Sequence, residues 1–538
     1  MRLRIKRMSP FAFPPTSGWF LPVGSVFLLV RVLLGTSNSV QLESGSVAQA
    51  HVAKGQHALE VKDLQAAKAQ FELAVKANPK SVEARLGLGI AEFQGGNTIA
   101  AIRCFRNVLD LDPNSFQGHY HLALAYLRDQ KLAEGCVELR RALAVNPRDA
   151  DAAYNLGVVL VELGEPEQGL NYLRQASANG PKRPDLSFNL IRGELAHSQF
   201  EQARREADAG AEVFGGDPAW CAAVGQLFLE HAQLSEAIRH LQKAFQLSPQ
   251  SDEIRRQLAT AYLRATQPTS ALLLLENAAA AEDHYLAASA YFYLHRLAEA
   301  DRESARALEK EPRDPRYLLQ RARIDQRMGR HLESLDLLQH ASRAEPQWAE
   351  PYYSSGVAYY LLRRYRDARQ SLDRALSLEP DSVRALFLYS ACLANEGRNR
   401  EGEDFLLRAI RNEPENARFY YHLGAIRLRD NRSAEAQQAF EKAIRLKPDY
   451  APPHYQLGKL FVRSNQLQSA SEELEKAIHY QPDLAQAFYH LGRVYARLGD
   501  KEKSEQALST FQKFKKQEVS EENEFVEGVQ IELQLMEP

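Results

Sequence analysis

The chain contains 538 residues, of which 45% are hydrophobic and 25% are charged, values typical of a folded protein with a sizeable core. Its formal net charge of -2 excludes the strongly basic balance of a nucleic-acid-binding protein. The sequence also lacks a glycine-rich phosphate loop, a His-Glu-x-x-His motif and a Gly-x-Ser-x-Gly motif. We therefore expect no catalytic residue, no cofactor and no metal site.

The first 47 residues differ in kind from the rest of the chain. A basic cluster is followed by an apolar run over residues 19–34, which Arg31 interrupts, and by an Ala-Gln-Ala sequence at 48–50. This order resembles a secretory signal peptide, and the run is short for a membrane span of ~20 residues. We therefore expect a protein of the bacterial periplasm or a secreted protein. An uncleaved N-terminal membrane anchor followed by a linker is the alternative.

Prolines recur along the remaining chain at intervals of 34 residues. They are Pro79, Pro113, Pro147, Pro181, Pro249, Pro312, Pro346, Pro380, Pro414, Pro448 and Pro482. Gly215 stands where the series would place a further proline, and the step of 63 residues before Pro312 contains one repeat that is five residues short. Because a helix interior does not tolerate proline, each proline marks the end of one repeat. We expect the shortening near residues 277–283.

Residues 417–450 show the repeat most clearly. Apolar residues at helical spacing predict one helix over 417–430 and a second helix that starts at Ser433 as its N-cap. Gly424 is small at a position where the two helices must approach each other. One such helical pair cannot bury its own apolar faces, so it needs copies of itself on either side.

The repeats resemble those of the tetratricopeptide repeat (TPR) family, which have the same period and a Leu-Gly pair in the first helix. That pair begins at Leu88, Leu156, Leu423, Leu457 and Leu491. The resemblance implies an all-α, right-handed superhelical solenoid of about 14 helix-turn-helix units over residues 48–518. Repeats 184–217, 252–280 and 315–348 match weakly, and residues 519–538 follow as an acidic tail.

The resemblance also implies a function. In this family the first helix of each repeat lines a concave groove, which holds extended segments of partner proteins. A non-catalytic scaffold or adaptor for protein–protein interactions is therefore expected. At the fifth position of the repeat, which faces the groove in this family, the second half of the chain carries Tyr353, Tyr421, Tyr455 and Tyr489. These rings either contact a partner or pack between neighbouring repeats, and the sequence leaves both interpretations open.

Basic residues occupy other groove positions in the second half of the chain. They are Arg323, Arg327, Arg429, Lys459, Arg463, Arg493 and Arg497. The same positions in the first half are mainly acidic. Because a wall of one charge attracts the opposite charge, we expect the second half to bind acidic segments of protein partners.

Three alternatives remain open at this point. The aromatic positions could stack on sugar rings in a polysaccharide-binding or export accessory protein. The chain could be the repeat subunit of a separately encoded enzyme. The acidic tail could itself occupy the basic half of the groove until a partner displaces it, or it could be a solvated extension.

Overall fold

The computed structural model describes residues 39–276 and 279–515, and all regular secondary structure within them is helical. Residues 1–38 of the predicted N-terminal segment 1–47, and the whole acidic tail 519–538, lie outside the described residues. The chain divides into an N-terminal unit that ends at Ala265 and a C-terminal unit that begins at Thr266.

The described part of the N-terminal unit contains the helices α1 to α13. They are α1 (Ser39–Glu60), α2 (Leu64–Ala77), α3 (Val82–Gln94), α4 (Thr98–Leu111), α5 (Phe116–Arg128), α6 (Leu132–Val145), α7 (Ala150–Glu162), α8 (Pro166–Asn179), α9 (Pro184–Ala196), α10 (Phe200–Phe214), α11 (Pro218–Glu230), α12 (Leu234–Leu247) and α13 (Asp252–Arg264). Each odd-numbered helix from α1 to α11 packs against the helix that follows it, so the unit is built from helical pairs.

The described part of the C-terminal unit contains the helices α14 to α28. They are α14 (Pro268–Leu275), α15 (Ala281–Tyr293), α16 (Leu297–Lys310), α17 (Pro315–Arg327), α18 (His331–Ala344), α19 (Ala349–Leu361), α20 (Tyr365–Leu378), α21 (Val383–Asn395), α22 (Asn399–Asn412), α23 (Ala417–Arg429), α24 (Ser433–Leu446), α25 (Ala451–Arg463), α26 (Leu467–Tyr480), α27 (Ala485–Leu498) and α28 (Lys501–Lys515). From α15 onward, each odd-numbered helix again pairs with its successor.

The helix bounds follow the period read from the prolines. From α3 to α27, every odd-numbered helix begins at the residue that the period assigns to the first position of its repeat. The prediction of an all-α repeat fold is therefore confirmed. Two helices differ from the others. The first helix, α1, already begins at Ser39, inside the stretch assigned to the linker. Helix α14, in the repeat that was expected to be short, has only 8 residues where α16 has 14.

The turn inside the repeat 417–450 corrects one predicted detail. Ser433 was expected to be the N-cap of the second helix, but it is the first helical residue, and Arg432 occupies the cap position. The carbonyl of Arg432 already accepts the first helical hydrogen bond, from the Ala436 N–H at 2.9 Å. The preceding Asn431 takes a left-handed conformation with φ of 60°.

Glycine in the first helix allows the two helices of a repeat to touch. A Cβ atom added to Gly424 would lie 2.5 Å from Cε1 of Phe440, whose side chain is fully buried. The ring therefore packs directly on the backbone of α23. At Gly193 in α9 an added Cβ would meet only Cδ1 of Leu170, at 3.0 Å.

We expect Gly424→Ala to lower the free energy of unfolding by about 2 kcal/mol, because the new methyl group overpacks the contact with Phe440. Chemical denaturation with circular dichroism measures this change. The matched control is Gly193→Ala, which we expect to cost less than about 1 kcal/mol because alanine favours the helix and Leu170 can turn away. Equal losses in the two variants would contradict this account of the small residues.

Candidate partner-binding surface

The predicted tyrosines of the C-terminal unit lie in first helices, but two of them are inaccessible. Tyr353 and Tyr455 are each only 3% exposed, whereas Tyr421 and Tyr489 are half-buried. Tyr421 packs edge-on against Tyr450, with their ring centroids 5.7 Å apart. Of the two interpretations of these rings, packing between repeats fits Tyr353 and Tyr455.

Cations of the chain itself cover several of the same rings. The guanidinium of Arg384 lies 4.7 Å from the ring centroid of Tyr353. The ammonium of Lys459 lies 4.8 Å from the ring centroid of Tyr455, and the guanidinium of Arg493 lies 5.6 Å from that of Tyr489. Such cation–π contacts hold the basic side chains against the first helices. They also reduce the ring area available for stacking on a sugar.

Two fifth-position tyrosines of the N-terminal unit form hydrogen bonds that were not predicted from the sequence. The amide nitrogen of Asn155 donates to the hydroxyl of Tyr120 at 3.2 Å, and that of Asn189 donates to Tyr154 at 3.1 Å. Both pairs join residues 35 positions apart. They link the fifth position of one repeat to the sixth position of the next. A tyrosine followed 35 residues later by an asparagine is therefore the sequence pattern that would have predicted these bonds.

Some predicted groove arginines form ion pairs. Arg323 and Arg384 both contact the carboxylate of Glu350, the second of them at 2.8 Å. Within residues 39–276 and 279–515, Arg327 forms no such pair; its guanidinium lies 5.5 Å from the ring centroid of Phe292. The charge of Arg323 is therefore largely neutralised by a glutamate of the next repeat, and its guanidinium forms part of a contact between repeats.

Arg429 has a different structural role. Its Nη1 donates to the carbonyl of Ala394 at 2.8 Å, and Arg264 makes the equivalent bond to Leu229 at 3.2 Å. Each acceptor lies in the last turn of the first helix of the preceding repeat. A helix end has unsatisfied carbonyls and partial negative charge, so these arginines act as caps between repeats.

The basic residues of α25 and α27 differ from those upstream. Arg463, Arg493 and Arg497 are exposed, and none of the three forms an ion pair within residues 39–276 and 279–515. Arg497 donates only to the neutral amide oxygen of Asn465. Lys459 and Arg463 are equivalent to Arg493 and Arg497 in the repeat, and α25 contacts α27. We call these four residues the terminal basic surface.

One buried histidine makes the first-helix packing sensitive to acid. His422 is 2% exposed, and its ring meets that of Phe387 with centroids 4.8 Å apart. Burial, assisted by the nearby charge of Arg418, lowers the pKa of His422 to about 3. The ring is therefore neutral in the folded protein at neutral pH.

Acid should destabilise the C-terminal unit through His422. Its folded pKa lies below the unfolded value of about 6.5, so below that value the unfolded chain binds a proton that the folded chain does not. We expect this histidine to contribute a loss of about 3 kcal/mol between pH 7 and pH 4. Unfolding measured over that range should show a smaller pH slope for His422→Leu, but not for the control Phe419→Leu in the same core. An unchanged slope in His422→Leu would refute the assignment.

Two kinds of site are absent from residues 39–276 and 279–515. Within them no group of three or more His, Cys, Asp or Glu side chains is arranged to hold a metal ion. Nor does any described helix combine the length and apolar character that a membrane crossing requires. The four cysteines, Cys104, Cys136, Cys221 and Cys392, are free thiols. The short spacing that is usual for zinc and redox cysteine pairs is absent from the sequence.

Helical pairs that repeat every 34 residues, with glycine at the helix contact, define the class of helical-hairpin repeat proteins. Four family models described as TPR repeat or tetratricopeptide repeat match the sequence. The matches cover residues 52–102, 89–130, 138–184, 360–426, 417–450, 458–499 and 485–517. The chain belongs to the tetratricopeptide repeat family. Its repeats are of a kind that generally serves as a non-catalytic scaffold for binding protein partners.

Solved structures with similar folds include the Cut9–Hcn1 hetero-tetramer of the APC/C, at 13% identity, with 85% of this chain and 100% of that chain covered and a TM-score of 0.41. Yeast Tom70 is similar at 16% identity, with 84% and 96% of the two chains covered and a TM-score of 0.36. A monomeric mutant of IFIT1 with Gppp-AAAA matches at 16% identity, with 68% and 90% covered and a TM-score of 0.41. No curated protein sequence matches the chain.

Proposed function

We propose that the protein is a scaffold of the bacterial cell envelope that binds acidic, extended segments of partner proteins on the first helices of its last repeats. One observation carries this proposal. Arg463, Arg493 and Arg497 are exposed without an ion pair in the described residues, whereas Arg323 and Arg384 upstream share Glu350. These three predicted groove arginines lie on α25 and α27.

The spacing of these cations supports a role in binding. Arg493 and Arg497 are four residues apart on α27. Like charges at this spacing repel each other and cost a few tenths of a kcal/mol per pair. A bound carboxylate removes that repulsion, and a surface of one sign also accelerates the approach of the opposite charge.

The direct test is the salt dependence of binding. A fluorescent deca-glutamate peptide is titrated with the full chain at about 0.05 M and about 0.5 M salt, where screening lengths differ severalfold. We expect the dissociation constant to rise at least 10-fold at high salt. A deca-glutamine peptide serves as the uncharged control and should bind weakly at both concentrations. Equal affinity for the two peptides, or no response to salt, would overturn the proposal.

The envelope location rests on the N-terminal sequence, where a basic cluster precedes the apolar run at 19–34. We expect fractionation of the source cell to place the protein in the periplasm or at the membrane. Mass spectrometry of its N-terminus would distinguish cleavage from anchoring. An intact N-terminus on protein recovered only from the cytosol would contradict this part of the proposal.

A further inference from the structure

We propose that the occupant of the terminal basic surface in the unliganded protein is the chain's own acidic segment, residues 516–538. This inference rests on the proposed role of that surface as a binding site for acidic segments. A partner would then bind by displacing the segment. Only a partner whose acidic segment binds the surface more strongly than residues 516–538 do would be retained.

The charges of the two parts are complementary. Residues 516–538 contain seven glutamates and one basic residue, Lys516. The glutamates are Glu518, Glu521, Glu522, Glu524, Glu527, Glu532 and Glu537. Five of them fall within ten residues of sequence, next to the apolar pair Phe525 and Val526. The segment thus has the composition that the terminal basic surface is proposed to recognise.

The last described residues, which precede this segment, pack on α27. Phe511 and Phe514, in the last turns of α28, pack on Tyr489 and Phe488 of α27, with centroid separations of 5.2 and 5.9 Å. Arg493 lies over the ring of the same Tyr489, with its guanidinium 5.6 Å from the centroid. The described chain therefore ends at Lys515 close to one member of the terminal basic surface.

The connection is short enough for this contact. Glu518 is the third residue after Lys515, a reach of about 10 Å when the chain is extended. A tether of this length keeps the glutamates at an effective concentration in the millimolar range. Solvent-exposed ion pairs contribute only about 0.2–1 kcal/mol each, so the segment should be displaceable rather than permanently bound.

The test uses the full chain and the deca-glutamate peptide as the probe. The variant replaces five glutamates of the segment: Glu518→Gln, Glu521→Gln, Glu522→Gln, Glu524→Gln and Glu527→Gln. We expect it to bind the probe about 10-fold more tightly than the unaltered chain at low salt, because its segment no longer competes. The control makes the same charge change at exposed glutamates elsewhere: Glu309→Gln, Glu311→Gln, Glu333→Gln, Glu415→Gln and Glu472→Gln. It should leave the affinity close to that of the unaltered chain.

The outcomes separate this inference from the proposed function. Equal probe affinity in the segment variant and the unaltered chain, together with loss of binding when Arg463, Arg493 and Arg497 are reversed to glutamate, would overturn self-occupancy and retain the basic surface. A gain in affinity that the control variant reproduces would also overturn it, because net charge alone would then explain the gain. A probe affinity that is unchanged by the arginine reversal would instead overturn the proposed function.

Discussion

Glu403→Ala should lower the free energy of unfolding by about 3 kcal/mol. The carboxylate is 7% exposed and contacts two guanidinium groups, that of Arg427 at 2.8 Å and that of Arg432. Removing one member of a buried ion cluster leaves the remaining charges without compensation, and such losses typically reach about 3–5 kcal/mol. We choose the lower end because both arginines retain some access to water and to Glu435.

Glu435→Ala is the matched control for this prediction. Its carboxylate contacts the same arginines, at 3.2 Å from Arg432 and 3.9 Å from Arg427, but its side chain is 48% exposed. An exposed ion pair contributes less than about 1 kcal/mol, so the control should be nearly neutral. Denaturant unfolding of the two variants measures the contrast. Similar small losses in both would show that the burial of Glu403 adds little to stability.

The pH dependence offers a second measurement on the same cluster. Burial acts to raise the pKa of Glu403, but the hydrogen bonds and charges of Arg432 and Arg427 outweigh it and lower the pKa below its ordinary value. The ionised cluster therefore stabilises the fold above the ordinary glutamate pKa, and this contribution is lost as the pH falls through the folded pKa. Glu403→Gln should lack this acid-dependent component.

The second large effect concerns binding. Reversal of the exposed arginines of the terminal basic surface, in the triple variant Arg463→Glu, Arg493→Glu and Arg497→Glu, should weaken the binding of deca-glutamate at low salt by at least 100-fold. Each reversal replaces an attraction by a repulsion, and 100-fold corresponds to about 2.7 kcal/mol over three sites. Fluorescence titration measures the change. Circular dichroism checks that the helices remain folded.

A control of equal charge makes this result interpretable. Arg400→Glu, Arg411→Glu and Arg445→Glu alter three exposed arginines on the second helices α22 and α24. The net charge changes by the same amount, but the terminal basic surface is intact. We expect less than a 5-fold loss, from long-range repulsion that salt screens. Comparable losses in both triple variants would assign the affinity to net charge and not to this surface.

These variants differ from those that the sequence would have suggested. By position in the repeat, Arg323 and Arg429 are as good candidates as Arg463 and Arg497. Arg323 contacts Glu350, however, and Arg429 caps the carbonyl of Ala394. Reversal of either would disturb contacts between repeats, and a loss of binding could then reflect altered packing.

The repeat architecture itself could be predicted from the chain. Proline ends a helix wherever it stands, and glycine allows close approach wherever two helices cross, so both act through local backbone geometry. Their period therefore placed the starts of the first helices from Val82 to Ala485. The cap at Arg432 was missed because a single left-handed residue, Asn431, shifts the turn, and asparagine there is compatible with several turn geometries.

The accessible part of the surface could not be predicted in the same way. Whether a tyrosine or an arginine faces solvent depends on partners about 27 to 35 residues away, as for Arg323 with Glu350 and Arg429 with Ala394. The period indicates which helices are neighbours, but it does not specify which side chain reaches across. That outcome depends on the side-chain conformations of two packed helices, so the hydrogen bond to the preceding repeat distinguishes Arg429 from Arg463 only in the folded chain.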